Sequence, residues 1–289
     1  MAGYRPLIFF LSIPSILVVS QQCDLQFDGR VPSDFTAATF NTNNGVFDPN
    51  NVFGEGLDLG SVVELQNSLS SLFDVDTIPV GVTISDNSIF APSPDNVQTG
   101  FRRAELLIAS NDGTDASTTG LKTLHFSAMK DAGRPLNLTH EYQLVFLESN
   151  DFSTNQFVLK TGTILGADTA DPDTLQLFGN VDANPAQTLF SVPFTEDVFH
   201  NFAVTLDFDA LTTQVFYSQG TDALVAQTEV LANDVSGQGQ FHFGVLKKGL
   251  NGGDDIVKNG EQEEDIDEGI IFGGIFEEDS SAGCISLSA

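Results

Sequence analysis

The amino-acid sequence predicts an all-β fold, a β-jelly-roll or concanavalin-like sandwich of two antiparallel sheets with a concave cleft. Three observations predict it. Apolar and polar residues alternate with period two: Leu124, Phe126 and Ala128 against Thr123, His125 and Ser127, and Phe202, Val204, Leu206 and Phe208 against Ala203, Thr205 and Asp207. Clusters of Gly, Asn and Asp separate such runs, for example Asn111-Asp112-Gly113 and Gly237-Gln238-Gly239. The chain has 289 residues with 41% hydrophobic and 18% charged side chains, enough apolar material for one large core. No linker tract or internal repeat divides it, so residues 21–289 read as a single β-jelly-roll domain.

Along the chain, residues 1–20 read as a secretory signal peptide. Arg5 supplies the positive start, Leu7 to Val19 the apolar run, and Val18 and Ser20 suit a cleavage site. The run is too short and too interrupted by Ser12, Pro14 and Ser15 to span a bilayer. Cys23 and Cys284 are the only cysteines and lie at opposite ends of the mature chain. In an oxidising compartment they predict one disulfide joining the termini, worth about 4–5 kcal/mol in the chain-entropy model; two buried thiols are the alternative. Val62 to Phe73 is expected to form a short helix. Strands are expected at 101–108, 123–128, 140–147, 156–160, 175–179, 202–208, 213–218, 224–230 and 240–246. Asn137-Leu138-Thr139 is an N-glycosylation sequon. Residues 254–279 form an acidic segment, read as a solvated loop followed by a last strand; its spacing matches no calcium-binding EF-hand.

The charge balance excludes whole classes of partner. Eleven Lys and Arg stand against 40 Asp and Glu, a net charge of −29. Such a surface repels phosphate backbones and anionic membranes, so neither nucleic acid nor membrane is expected as a partner. The histidines lack metal-ligand spacing, no Gly-x-Ser-x-Gly elbow is present, and no phosphate-binding glycine loop opens a helix. No metal or cofactor is expected, and the chain is read as a monomer.

Strand parity supplies the candidate site. In the strand from Phe101, residues Ala104, Leu106 and Ile108 share the core face, and Arg103 and Glu105 the other. In the strand from His140, Tyr142, Leu144 and Phe146 are assigned to the core, Glu141 and Gln143 to the opposite face. In the strand from Gln240, Phe241, Phe243 and Val245 face the core, while Gln240 and His242 face away beside Gly244. On one sheet these polar residues would line one concave surface. Two carboxylates among Arg, Gln and His suit glycoside hydrolysis, in which one acid protonates the leaving oxygen and another activates water. Arg103 is expected to hold Glu105 ionised, which leaves Glu141 as the candidate acid. The bland alternative is that Arg103 and Glu105 form an ordinary surface ion pair. His125, with Thr123 and Ser127 on a polar face, is a further candidate for the cleft; His140 and His200 read as ordinary satisfied histidines.

The segments Gln98–Leu106, Arg134–Leu144 and Gly239–Lys248, together with Cys23–Arg30 and Glu268–Phe276, resemble those of glycoside hydrolase family 131. The resemblance covers essentially the whole mature chain. It implies a secreted fungal β-jelly-roll enzyme that hydrolyses β-glucans, with β-1,3, β-1,6 and β-1,4 linkages among its substrates, by an inverting mechanism. It places the catalytic pair on Glu105 and Glu141 and a catalytic histidine on His242. Arg103, Gln143, Gln240, Lys247 and His125 are the expected substrate-binding residues, and β-glucan the expected partner. The chain has no Trp, so Phe or Tyr must supply any ring-stacking surface. Two alternatives remain: a jelly-roll polysaccharide lyase, with Lys247 on its final strand, and a non-catalytic β-glucan-binding lectin.

Overall fold

The computed structural model describes residues 23–50, 53–183 and 185–289; the expected signal peptide, 1–20, lies outside them. Two antiparallel sheets face each other. The first runs in the order Val225–Ala226, Thr212–Gln219, His200–Asp207, Leu121–Lys130, Asp267–Asp279, Val80–Ser85, Val63–Leu65. Leu25–Asp28 also pairs with Asp267–Asp279, and Leu231–Ala232 with Thr212–Gln219. The second sheet has six strands in the order Thr188–Pro193, Thr174–Phe178, Asn155–Gly162, Glu141–Glu148, Gln240–Lys248, Phe101–Leu107. The all-β sandwich read from the alternation is therefore the observed fold.

The alternating residues meet between the sheets. Ala104, Leu106, Leu147, Phe241 and Phe243 from the six-stranded sheet are buried with Leu124, Phe126, Phe202, Ile270 and Phe272 from the other. Phe126 stacks on Phe202 at 5.1 Å and meets Phe243 edge-on at 6.4 Å across the sandwich. Each such side chain contributes about 1.5–3 kcal/mol by leaving water. Cys23 and Cys284 form the expected disulfide, closing a separation of 261 residues with Cα atoms 5.7 Å apart.

Two local expectations fail. Residues 62–73 are not helical: a 3-10 turn at Leu59–Ser61 leads into the strand Val63–Leu65, and turns follow. The β-branched Val63 pairs with Val82 in the sheet, and Asp74 ties the next turn by accepting from the Ser71 hydroxyl at 2.6 Å. Likewise 224–230 keeps only the two-residue strand Val225–Ala226, with Val225 and Val230 both exposed. The acidic segment 254–279 is a short helix, Ile256–Asn259, then the long strand Asp267–Asp279.

Candidate active site

Three neighbouring strands of the six-stranded sheet carry the candidates. Gln240–Lys248 lies in the middle, with Phe101–Leu107 on one side and Glu141–Glu148 on the other. Gly244 sits opposite Glu105, and any side chain there would collide with the backbone of Ala104 and Glu105. Glycine at this position lets the backbones of the two strands approach closely beside Glu105.

Glu105 is almost completely buried and fully partnered. Arg103 grips it with two donors, Nε to Oε1 at 2.7 Å and Nη2 to Oε2 at 2.8 Å. His242 donates from Nδ1 to Oε2 at 2.7 Å. Burial alone would raise the Glu105 pKa; the Arg103 and His242 charges and hydrogen bonds outweigh it and hold the carboxyl below its usual range. The same contacts, with Glu148, raise the His242 pKa against its own burial. Both shifts favour a carboxylate on Glu105 and a second proton on His242. The other ring nitrogen, Nε2, stands 3.5 Å from the Glu148 carboxylate, whose side chain is 26% exposed. Phe146 stacks on the imidazole at 4.4 Å and fixes its plane. Arg103 in turn lies over the Phe90 ring, 5.5 Å from its centroid, and reaches Gln98.

Glu148 was missed by parity for a physical reason. A register irregularity falls between Gln143 and Val145, so Leu144 and Val145 both pack in the central core. One extra residue flips everything beyond it to the opposite face. Phe146, assigned to the core by strict alternation, instead packs in an outer cluster with Phe101, Val158 and Leu246. Glu148 follows it onto the concave side, opposite Gln240. Nothing in the sequence marks that irregularity.

Glu141 shares the concave face but keeps different company. Its Oε1 is 3.0 Å from Lys160 Nζ and 2.7 Å from Lys248 Nζ, and its Oε2 accepts from Leu165 N at 2.8 Å. Gln143 adds a long contact at 3.5 Å and itself accepts from Asn155 at 3.0 Å. The two lysines overcome desolvation and bring the Glu141 pKa down to about 2. A general acid must carry its proton at the working pH, so this environment does not suit the acid role expected for Glu141.

Two other expectations are corrected. Lys247 has core parity: it is fully buried and ion-paired to Glu268 at 2.7 Å and Glu263 at 2.5 Å, away from the concave face. That removes the residue on which the lyase alternative rested. His125 belongs to the other sheet, where it is buried against Phe276 and 3.0 Å from Glu278. It cannot reach the cleft from there. Asn137 of the sequon is part-exposed, and its amide donates to Glu263 at 2.8 Å. Gln240 lies at the cleft beside Glu148, with its own amide bonded to the Asn111 carbonyl at 2.9 Å. His140 and His200 are satisfied, by the Lys248 carbonyl and Glu263 in one case and by Tyr217 and Thr195 in the other. Among the described residues no group of His, Cys, Asp and Glu is arranged to hold a metal ion. A cavity of about 240 Å³ at one end of the sandwich, between Lys130, Asp173, Phe194 and Leu136, lies apart from the Glu105 group. Its lining carries the part-exposed Lys130–Asp173 ion pair with Asp131, Glu196 and Asp197, but no histidine.

The model of the glycoside hydrolase 131 catalytic N-terminal domain matches residues 25–283. The chain belongs to glycoside hydrolase family 131. It is thus a glycoside hydrolase, and its substrate is a glycan. Among solved structures it is similar to a family 131 β-glucanase catalytic domain from Podospora anserina, at 22% identity and a TM-score of 0.71, over 91% of this chain and 98% of that one. It is also similar to the family 131 catalytic domain from Coprinopsis cinerea, at 21% identity and a TM-score of 0.69, over 92% and 98%. At these identities the two matches speak for the fold. No curated protein matches the sequence.

Proposed function

We propose that this family 131 member is a secreted β-glucanase that hydrolyses its substrate with inversion at a Glu105–His242–Glu148 relay. The observation that carries the assignment is the imidazole set between two carboxylates, hydrogen-bonded through Nδ1 to Glu105 at 2.7 Å and facing Glu148 at 3.5 Å through Nε2, which makes no hydrogen bond of its own. Inversion is what the resemblance to the family implies; it calls for two carboxyls roughly 6.5–9.5 Å apart with a water between them.

Glu105, held ionised by Arg103, is the base for the attacking water, whose approach to this buried carboxylate requires the side chains around it to move when substrate binds. Glu148, the more exposed carboxyl, delivers a proton to the departing glycosidic oxygen. His242 hands its Nε2 proton to Glu148 and stays neutral, with its Nδ1 proton still hydrogen-bonded to Glu105; solvent then reprotonates Nε2, and the proton that Glu105 took from water leaves to solvent with the product. Arg103 also opposes protonation of Glu105 before water is bound. The Phe90 ring beside Arg103 offers the aromatic surface that the missing Trp would otherwise provide. The β-glucan substrate follows the family and the printed activity of the Podospora anserina relative. The apolar run at 7–19 supports secretion.

Substitution tests the relay. Glu105→Gln and Glu148→Gln are each expected to lower kcat on a soluble β-glucan by about 10²–10⁴-fold, the usual share of acid–base catalysis. Glu141→Gln should retain far more activity than either. Equal losses in Glu141→Gln and none in Glu148→Gln would return the acid role to Glu141. Proton NMR of the first-formed sugar should show the α-anomer; a β-anomer refutes inversion.

A further inference from the structure

The Glu141 cluster is not used by the relay, and its charges do not balance. Lys160 and Lys248 share the single Glu141 carboxylate, at 3.0 and 2.7 Å. Elsewhere in the molecule the pattern is the reverse: Arg134 contacts Glu64, Asp131 and Asp267, and Lys247 contacts Glu263 and Glu268. One positive charge is thus left over at this point of a chain whose net charge is −29. The two ammonium-bearing side chains are 12% and 20% exposed, so neither is sealed in the protein. Phe178, half-buried, places its ring 5.2 Å from the Lys160 ammonium.

Register locates this cluster relative to the relay. Arg103 pairs with Leu246, Leu246 with Gln143, and Gln143 with Lys160, one row across the sheet. Three strand spacings put the Lys160 backbone about 14 Å from that of Arg103. A glycan chain lying across the strands over Glu105 would place another of its rings over Lys160 and Lys248.

We propose that Lys160, Lys248 and Phe178 form a subsite for an acidic sugar, a hexuronate unit within or attached to the glucan chain. This rests on the β-glucanase reading for the remainder of the chain but not for its own recognition chemistry. The ring packs on Phe178, and the carboxylate takes the positive charge that Glu141 leaves uncompensated. The repulsion from the distant carboxylates of the protein is screened beyond about 8 Å at physiological salt, whereas the contact pair is not. A polymer acidic at every ring would meet Glu148 and Glu105 as well, so the preference is for sparse acidic units.

The test compares a β-gluco-oligosaccharide with the same oligosaccharide partly oxidised at C6 to uronate. Affinities for the wild-type protein are measured by titration calorimetry, and release of reducing ends from the neutral glucan is measured separately. The oxidised ligand should bind about 5–10-fold tighter at low salt, an advantage that fades above about 0.5 M salt. Lys160→Gln and, independently, the more exposed Lys248→Gln should each abolish that ratio, because either leaves Glu141 with one cation. Equal or weaker binding of the oxidised ligand by the wild-type protein at low salt overturns the subsite. If the neutral glucan is still cleaved, the β-glucanase reading survives that failure. If no glucan is cleaved but the lysine-dependent preference is present, the subsite stands and the β-glucanase reading falls.

Discussion

Replacing Lys247 by Met should unfold the protein more readily without touching catalysis. The Lys247 ammonium is fully buried, between Glu268 and Glu263, with the Tyr142 ring 5.9 Å away. Glu268 is itself buried and also accepts from the Tyr142 hydroxyl at 2.7 Å. Removing the cation leaves that carboxylate buried with only a neutral donor. Breaking one side of a buried pair in this way costs about 3–5 kcal/mol, whereas the packed stem of lysine is well replaced by methionine. For a domain of this size that corresponds to a Tm lower by roughly 6–15 °C. Thermal unfolding followed by circular dichroism reads it directly. The double variant Lys247→Met with Glu268→Gln should recover part of the loss, because no unpaired charge remains buried. Turnover, assayed well below the lower Tm, should stay near wild type. A Tm within about 2 °C of wild type refutes the buried-pair reasoning. Loss of turnover with stability unchanged would instead put Lys247 in contact with substrate.

The remaining predictions concern pH and the termini. Activity should fall on the acid side only below about pH 4.3, as Glu105 is protonated at its lowered pKa, and on the alkaline side only above about pH 6.5, as His242 loses its proton at its raised pKa; His242→Asn should remove the alkaline limb from the pH–rate profile. Glu277 is buried with neither oxygen hydrogen-bonded, and desolvation holds its pKa well above the usual value. Its proton is kept on folding but lost in the unfolded chain, so it lowers stability increasingly as pH rises from about 4.3 toward its folded pKa; Glu277→Gln should raise the urea midpoint at pH 7, with the gain vanishing below about pH 4. Cys284→Ser should lower unfolding free energy by about 5 kcal/mol at most, seen as an earlier urea midpoint, since the bridge closes nearly the whole chain.

Much of this molecule is legible in the sequence, because alternation and turn chemistry are local. Arg103, Glu105 and His242 were assigned to one face by counting residues, and the structure brings the three together at hydrogen-bond distance. Two cysteines at opposite ends of the chain allow one intrachain pairing, and the structure joins Cys23 to Cys284. Tyr142 was assigned to the core, and it is buried there with its hydroxyl on Glu268. The sequence by itself thus determined the sandwich, the polar faces of its strands and the family. Tertiary structure decided everything that depends on neighbours from distant strands. A register irregularity after Gln143 turned Glu148 toward His242. Membership of the other sheet took His125 out of the cleft. Two lysines from separate strands bring the Glu141 pKa down to about 2, which disfavours the acid role read from its face alone. Parity says which way a side chain points only while the pleat is unbroken, and it never says which charges will lie beside it. Both are properties of the assembled sheet, and on them depends which of the 40 acidic residues can hold or release a proton at the right moment.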